Sequence, residues 1–228
     1  IIDYGMREML SEQRDVFYYV TLMNENYAQP DLPDNKRDGV IRGAYVFAEF
    51  APTSVHGSTG SPRTEGVGSA APGPASVDES PRPEPVSPVR GEPVEPHRGQ
   101  HATLLGSGAI LTEVIKAAQQ LADESVHVTV VSVTSWSELA RDGVRCDADD
   151  TLTPHLSDLL ASTQGPVIAA TDYVRLVPES VRAWVPAGRR YVTLGTDGFG
   201  RSDTRAALRD HFGVDAAHIA AAARRALR

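Results

Sequence analysis

Tyr191-Val192-Thr193-Leu194-Gly195-Thr196-Asp197-Gly198-Phe199-Gly200-Arg201-Ser202-Asp203 is the stretch around which the remaining sequence falls into order. A short apolar run stops at Gly195. A turn with three glycines in six residues follows, and Ser202 or Asp203 stands where a helix cap is needed. This is the pattern of a strand ending at the carboxyl edge of an α/β sheet, where loops carry function. Glycine has no Cβ and so takes positive φ without strain, which lets the backbone fold back tightly. Serine and aspartate each offer an oxygen to the free N–H groups at a helix start. Taken alone, the stretch is best read as a structural strand–turn–helix.

Upstream the same rhythm repeats. Residues 103–105 form a short strand, and Gly106-Ser107-Gly108 turns it into a helix. Ile110, Val114, Ala117 and Leu121 then recur at spacings of four, three and four, one stripe facing a sheet. Residues 127–133 are a β-branched strand, and residues 135–141 a short helix ended at Gly143. Thr153 caps the next helix with Pro154 at its first position, where the missing N–H costs nothing. Leu156, Leu159 and Leu160 supply its inner face. Residues 166–170 are a strand, and residues 173–185 are helical with an interruption at Pro178. Past the opening stretch, Gly213 ends one helix, Asp215 caps another, and an Ala- and Arg-rich helix runs to Arg228. Short buried strands alternating with helices imply βαβ units, hence a three-layer α/β/α fold with a mostly parallel sheet.

The first half is less regular. Tyr4, Met6, Met9 and Leu10 share one face of a helix over residues 3–13. Residues 16–23 form a continuous β-branched and aromatic run, which predicts a strand buried on both faces. The polar loop Asn24-Glu25-Asn26-Tyr27-Ala28-Gln29-Pro30 follows, and residues 44–50 form a second strand. Residues 51–100 hold ten of the 16 prolines and no Leu, Ile, Met, Phe, Tyr or Trp. Such a segment cannot bury enough apolar surface to offset a backbone entropy of roughly 1–2 kcal/mol per residue, so it is expected to be a disordered, Pro-rich surface insertion.

Composition excludes several classes. A net charge of −8 argues against nucleic-acid or anionic-membrane partners, which want a basic face. The single Cys146 allows no internal disulfide and fits a reducing cytoplasm. No apolar run approaches the roughly 20 residues that span a bilayer. The Gly106–Gly108 turn lacks the third small residue of a dinucleotide fingerprint, because position 111 is Leu. None of the seven histidines forms a metal pair, and no carboxylate cluster is expected beside His211 and His218. No Gly-x-Ser-x-Gly elbow occurs, so no catalytic constellation is assigned. The chain starts at Ile1-Ile2, inside an element, and is read as a fragment of something longer.

Four segments carry a resemblance. Residues 193–203 resemble the last-domain signature of the homodimeric-type pyruvate dehydrogenase (acetyl-transferring) component of bacteria. Residues 132–143, residues 171–186, and Phe17-Tyr18-Tyr19-Val20-Thr21 into Asn24-Glu25-Asn26-Tyr27 are similar to the same family, in family order. The resemblance implies that residues 1–38 are the tail of a thiamine pyrimidine-binding domain. Residues 39–50 and 101–228 would form a transketolase-type C-terminal domain, with the first strand antiparallel to the others. Residues 51–100 would interrupt that domain between its first two strands.

It further implies a parent that decarboxylates pyruvate on thiamine diphosphate and magnesium and reductively acetylates a lipoyl group. The partners would be a second copy of the parent subunit and the dihydrolipoyl acetyltransferase of the complex, in the cytoplasm. Asn24, Glu25, Asn26 and Tyr27 would line the substrate entrance. The departures are specific: no Gly-Asp-Gly occurs, and Ala28 stands where the family often has His. No cofactor is therefore expected on this chain alone. The rival reading is a non-catalytic α/β dimerisation or assembly module from a split or truncated gene.

Overall fold

The computed structural model describes residues 1–22, 26, 32–52 and 99–228. They all belong to one compact unit, Ile1–Thr53 with His97–Arg228. Its centre is a five-stranded sheet of β1 (Ala44–Phe50), β2 (His101–Ser107), β3 (His127–Val133), β4 (Val167–Ala170) and β5 (Tyr191–Leu194), in the order β1-β3-β2-β4-β5. β2, β3, β4 and β5 pair in parallel, and β1 pairs antiparallel with β3 at the edge. This is the expected mostly parallel sheet with its first strand reversed. One extra residue in β1, Phe47, sits between the pairs Val46↔Val131 and Ala48↔Val130. The bulge lets both Phe47 and Phe50 reach the same core.

The period of two along the strands divides the core between two faces. Leu104, Val128, Val130 and Ile168 face α3 (Ile110–Asp123) and α8 (Ala216–Leu227). Leu105, Val131, Val133 and Ala169 face α4 (Trp136–Asp147) and α5 (His155–Ala161). The stripe Ile110, Val114, Ala117 and Leu121 is buried as its spacing predicts.

Two fixings hold β2 and β4 in register. At their carboxyl ends the buried Ser107 and Thr171 hydroxyls are 2.8 Å apart. At their amino ends the Arg189 guanidinium donates to Gly165 O (2.7 Å), Leu160 O (2.8 Å), Thr163 Oγ1 (2.8 Å) and Thr103 Oγ1 (2.9 Å). Burial lowers the pKa of Arg189, and its partners here are neutral oxygens. Strands β2 and β4 pair directly from Thr103↔Val167 to Gly106↔Ala170.

Several expectations are corrected. Residues 16–22 form no strand, and Phe17, Tyr19 and Leu22 are 88%, 86% and 88% exposed. A strand buried on both faces needs partners on both edges, and among the described residues nothing pairs with this run. The first helix, α1 (Ile2–Met6), continues as a π-helical turn (Arg7–Ser11). It buries Gly5 and Glu8 and exposes Met6 and Leu10. Polar pairing outweighs the apolar spacing: Glu8 accepts from Arg14 and Tyr18, and the Tyr18 ring lies so close that a Cβ on Gly5 would stand 2.8 Å from it. Burial and the Glu8 carboxylate push the Tyr18 phenol up to about 12, so it stays a donor.

α4 runs past Gly143, capped by Ser135, whose Oγ accepts from Glu138 N at 3.1 Å. Gly143 is an interior residue of the helix, where any Cβ would overlap the Trp184 indole. α5 is preceded by Pro154 as its cap residue, not Thr153, and the Asp142 carboxylate accepts from His155 N at 2.6 Å. α6 (Leu176–Glu179) contains Pro178 within its single turn, so the proline does not interrupt it. The helix after β5, α7 (Arg205–His211), is capped by Thr204, not Ser202 or Asp203. Gly213, at φ +67, and Asp215, which accepts from His218 N at 2.9 Å, punctuate the last turn as expected. The insertion read over residues 51–100 falls, for residues 53–98, outside the described residues.

Gly143→Ala tests the Trp184 contact. Alanine gains about 1 kcal/mol of helix propensity, yet the overlap forces the indole away at a cost of about 1–3 kcal/mol. A lowered Tm is the expected result. An unchanged or raised Tm would show that the indole moves freely.

Candidate functional site

The chain leaves β2 toward β3 on one side and β4 toward β5 on the other, so the order reverses between β2 and β4. Open α/β sheets bind ligands outside the carboxyl ends of their strands at such a reversal. Here the site is a crevice of about 280 Å³, lined by Ala109 and Ile110 after β2, Asp172 after β4, and Thr196, Gly198, Gly200 and Arg201 after β5. Arg205, Leu208, Arg209, Phe212 and Val214 close its far wall.

The sequence builds its rim locally. The loops after β4 and β5 are laced together: Thr171 N donates to Leu194 O (3.1 Å), Thr196 N to Tyr173 O (2.9 Å), and Thr196 Oγ1 to Asp172 O (2.7 Å). Asp197 accepts from Arg175 N at 2.8 Å and Arg175 Nε at 2.5 Å. Those bonds, the backbone one first, hold the Asp197 carboxyl below its ordinary range. Of the three glycines in the turn, only Gly198 takes positive φ, +94. Gly195 serves a different need, because a Cβ there would stand 2.6 Å from Tyr173 O and 2.7 Å from Arg175 N. Phe199 between Gly198 and Gly200 is 96% exposed.

Two carboxylates govern the electrostatics. Burial raises the pKa of Asp172, against a smaller opposing pull from its own backbone N–H and from Arg209. Glu113, buried on α3, accepts from Lys116 Nζ (2.9 Å), Arg209 NH1 (3.3 Å) and Ala216 N (3.2 Å). It thereby ties α3 to α7 and α8 and holds Arg209 at the crevice wall.

Of the residues read from the sequence as entrance candidates, Asn24, Glu25 and Tyr27 lie outside the described residues, as does Ala28. Asn26 is described and is exposed. The segment leading to them does touch the sheet edge: Thr21 Oγ1 is 3.0 Å from Tyr173 Oη. The crevice itself was not read from the sequence. Its signals are Asp172 and Arg201 at the second and seventh positions past two strands' ends, visible only once the strand order is known.

The expectation that no carboxylates gather beside His218 is also corrected. Asp210, Asp215 and His218 bring their ligand atoms within 4.8 Å of one another, because the Gly213 turn folds α7 back on α8. His218 Nδ1 already faces Asp215 Oδ1 at 2.7 Å, and Asp215 caps α8, so the cluster closes on itself. Thiamine diphosphate with magnesium does not fit these donors. Magnesium favours an octahedron of oxygens shared with the phosphates, whereas this group includes an imidazole.

A profile of the transketolase-like TK C-terminal domain family matches residues 93–215, more than half of the chain. The chain belongs to the transketolase-like C-terminal domain family. Over its whole length it is similar to pyruvate dehydrogenase E1 components. It is 37% identical over 235 residues to that of Pseudomonas aeruginosa, covering 100% of this chain and 22% of the relative. It is 35% identical over 232 residues to that of Escherichia coli, covering 98% of this chain and 21% of the relative. The chain thus spans about a fifth of the length of these relatives and matches their C-terminal portion. Among solved structures it is similar to a split gene transketolase described as an inactive beta4 tetramer, with 23% identity and a TM-score of 0.41. That match covers 59% of this chain and 42% of the other. No helix among the described residues is long and apolar enough to cross a membrane.

Asp172 gives a pH-dependent prediction. Its raised pKa means that the fold favours the protonated carboxyl. That contribution is complete below the ordinary value of 3.8 and is lost as pH rises through the raised one. Asp172→Asn should therefore raise Tm at pH 7 and leave it near wild type at about pH 3. Equal differences at both pH values would assign the effect to shape, not charge.

Proposed function

We propose that this chain is the C-terminal part of a thiamine-diphosphate-dependent pyruvate dehydrogenase component. The parent decarboxylates pyruvate oxidatively and reductively acetylates the lipoyl group of an acyltransferase partner, as a homodimer in the cytoplasm. The observation that carries this reading is the extent of the similarity. It covers 100% of the chain, including the residues before 93 that lie outside the domain family's own match. On this reading residues 1–38 end a pyrimidine-binding domain, residues 39–50 and 101–228 form the C-terminal domain, and residues 51–100 are an insertion in it. Asn24, Glu25, Asn26 and Tyr27 lie at the mouth of the thiamine site, and the Thr21–Tyr173 contact supports a path for that segment along the sheet's carboxyl edge.

The chemistry belongs to residues beyond this chain. The sequence has no Gly-Asp-Gly to carry magnesium and diphosphate. Titrating the purified chain with thiamine diphosphate and magnesium in a calorimeter should therefore give no saturable heat. Micromolar binding would sink that assignment.

Glu25 is the residue of the entrance loop with a charge to offer. A carboxylate there accepts hydrogen bonds and orders the mouth or orients a proton-transfer partner. In the enzyme carrying the preceding domains, Glu25→Gln keeps the shape and removes the charge. A fall in kcat of about tenfold, or about 1.4 kcal/mol of barrier, is expected in pyruvate-dependent acetylation of the lipoyl partner. Unchanged kcat and KM would remove Glu25 from the site, and an inactive parent would favour the assembly module.

A further inference from the structure

We propose that His101, His127 and Glu49 bind a divalent transition-metal ion, with zinc as the type, on the face of the sheet where β2 and β3 begin and β1 ends. The site lies at the opposite end of the strands from the crevice and does not depend on the thiamine reading. Sequence spacing hides the two histidines from each other, and the parallel register of β2 with β3 sets them side by side. Their rings stack with centroids 4.8 Å apart and planes 19° apart. Two imidazoles on one tetrahedral zinc, each bound at about 2.0–2.1 Å, have centroids about 5 Å apart, so the pair already has the spacing of a chelate. Turning the rings about χ2, a broad torsion, is the adjustment that converges one nitrogen of each.

Glu49 supplies the third ligand. It pairs opposite Thr129, which stands two residues from His127 on the same face of β3. Glu49 is therefore the diagonal cross-strand neighbour of His127, a separation of about 7–8 Å that a long side chain spans. Glu49 and His127 are exposed and His101 is partly so, which leaves a fourth position open to water. Apart from the ring contact, none of the three side chains has a hydrogen bond or ion pair among the described residues. The contrast with Asp210, Asp215 and His218 is chemical, because that group has one imidazole and its Asp215 is engaged in capping α8. Two imidazoles and a carboxylate suit zinc, copper or nickel, whereas magnesium takes oxygen ligands. The net charge of −8 draws cations to the chain. A bound ion ties β1, β2 and β3 together at one end of the sheet.

The test uses the whole 228-residue chain, labelled with ¹⁵N, freed of metal with EDTA and titrated with zinc chloride. The imidazole signals of His101 and His127 should shift together and saturate below about 100 µM zinc, and magnesium at the same concentration should leave them in place. Zinc should also raise Tm, because it binds the folded chain. His101→Gln, His127→Gln and Glu49→Gln should each weaken zinc at least about tenfold. Without zinc, the two variants at exposed positions, His127→Gln and Glu49→Gln, should melt as wild type does. His218→Gln should bind zinc with the wild-type affinity, which separates this site from the Asp210–Asp215–His218 group. Absence of saturation by about 100 µM zinc overturns the proposal. So does a wild-type affinity in any of the His101, His127 or Glu49 variants, or an equal response to magnesium.

Discussion

The parallel pairing of β2 with β4 is the constraint on which the rest of the structure depends. Every other strand is reached through one of these two, β3 and β1 on one side and β5 on the other. The pairing is only four residues long, from Thr103↔Val167 to Gly106↔Ala170, so its register needs reinforcement. Arg189 supplies it at the amino end, where one guanidinium spans Thr103, Leu160, Thr163 and Gly165. The Ser107–Thr171 hydroxyl pair supplies it at the other end. Slipping the register by one residue would turn Val167 and Ile168 to the wrong cores and strand these polar groups in the interior, at about 1–3 kcal/mol for each group left unpaired.

From that pairing the geometry of the crevice follows. Because β2 and β4 send their chains in opposite directions, their ends leave a gap that no side chain of the sheet fills. Glu113 works one layer out. A buried carboxylate needs partners, and the three it finds lie on α3, on α7 and at the start of α8. The same bonds that satisfy it aim Arg209 toward the gap, opposite Asp172. Stability and site electrostatics thus share one group: removing Glu113 would loosen the helical layer and take one partner from a crevice arginine.

How much of this was legible in the sequence differs by the range of the forces involved. The strand at 127–133 and the stripe on α3 were readable because period and burial agree there along a single element. Gly143 misled, since a glycine inside a helical pattern suggests a stop, and its reason lies 41 positions away in Trp184. The cap of α7 shifted from Ser202 or Asp203 to Thr204 because the Asp203 carboxylate instead accepts from Thr204 N at 2.6 Å. Three adjacent residues could each cap, and local chemistry does not choose among them. The crevice was invisible for a topological reason: Ala109, Asp172 and Arg201 belong to three loops that only the strand order brings together.

Residues 16–22 press the question of self-sufficiency. Phe17, Tyr19 and Leu22 are almost wholly exposed, although burying such a side chain is worth about 1.5–3 kcal/mol. Neither core of the described residues includes them. A run in which both alternating faces are apolar cannot be satisfied by lying on a surface, which hides one face only. It asks for strands on either side and layers above and below. If these residues end a pyrimidine-binding domain, as proposed, that sheet lies in the preceding part of the parent, and the apolar run is its last strand without its neighbours. The same segment reaches Tyr173 through Thr21, at the edge where the crevice loops meet.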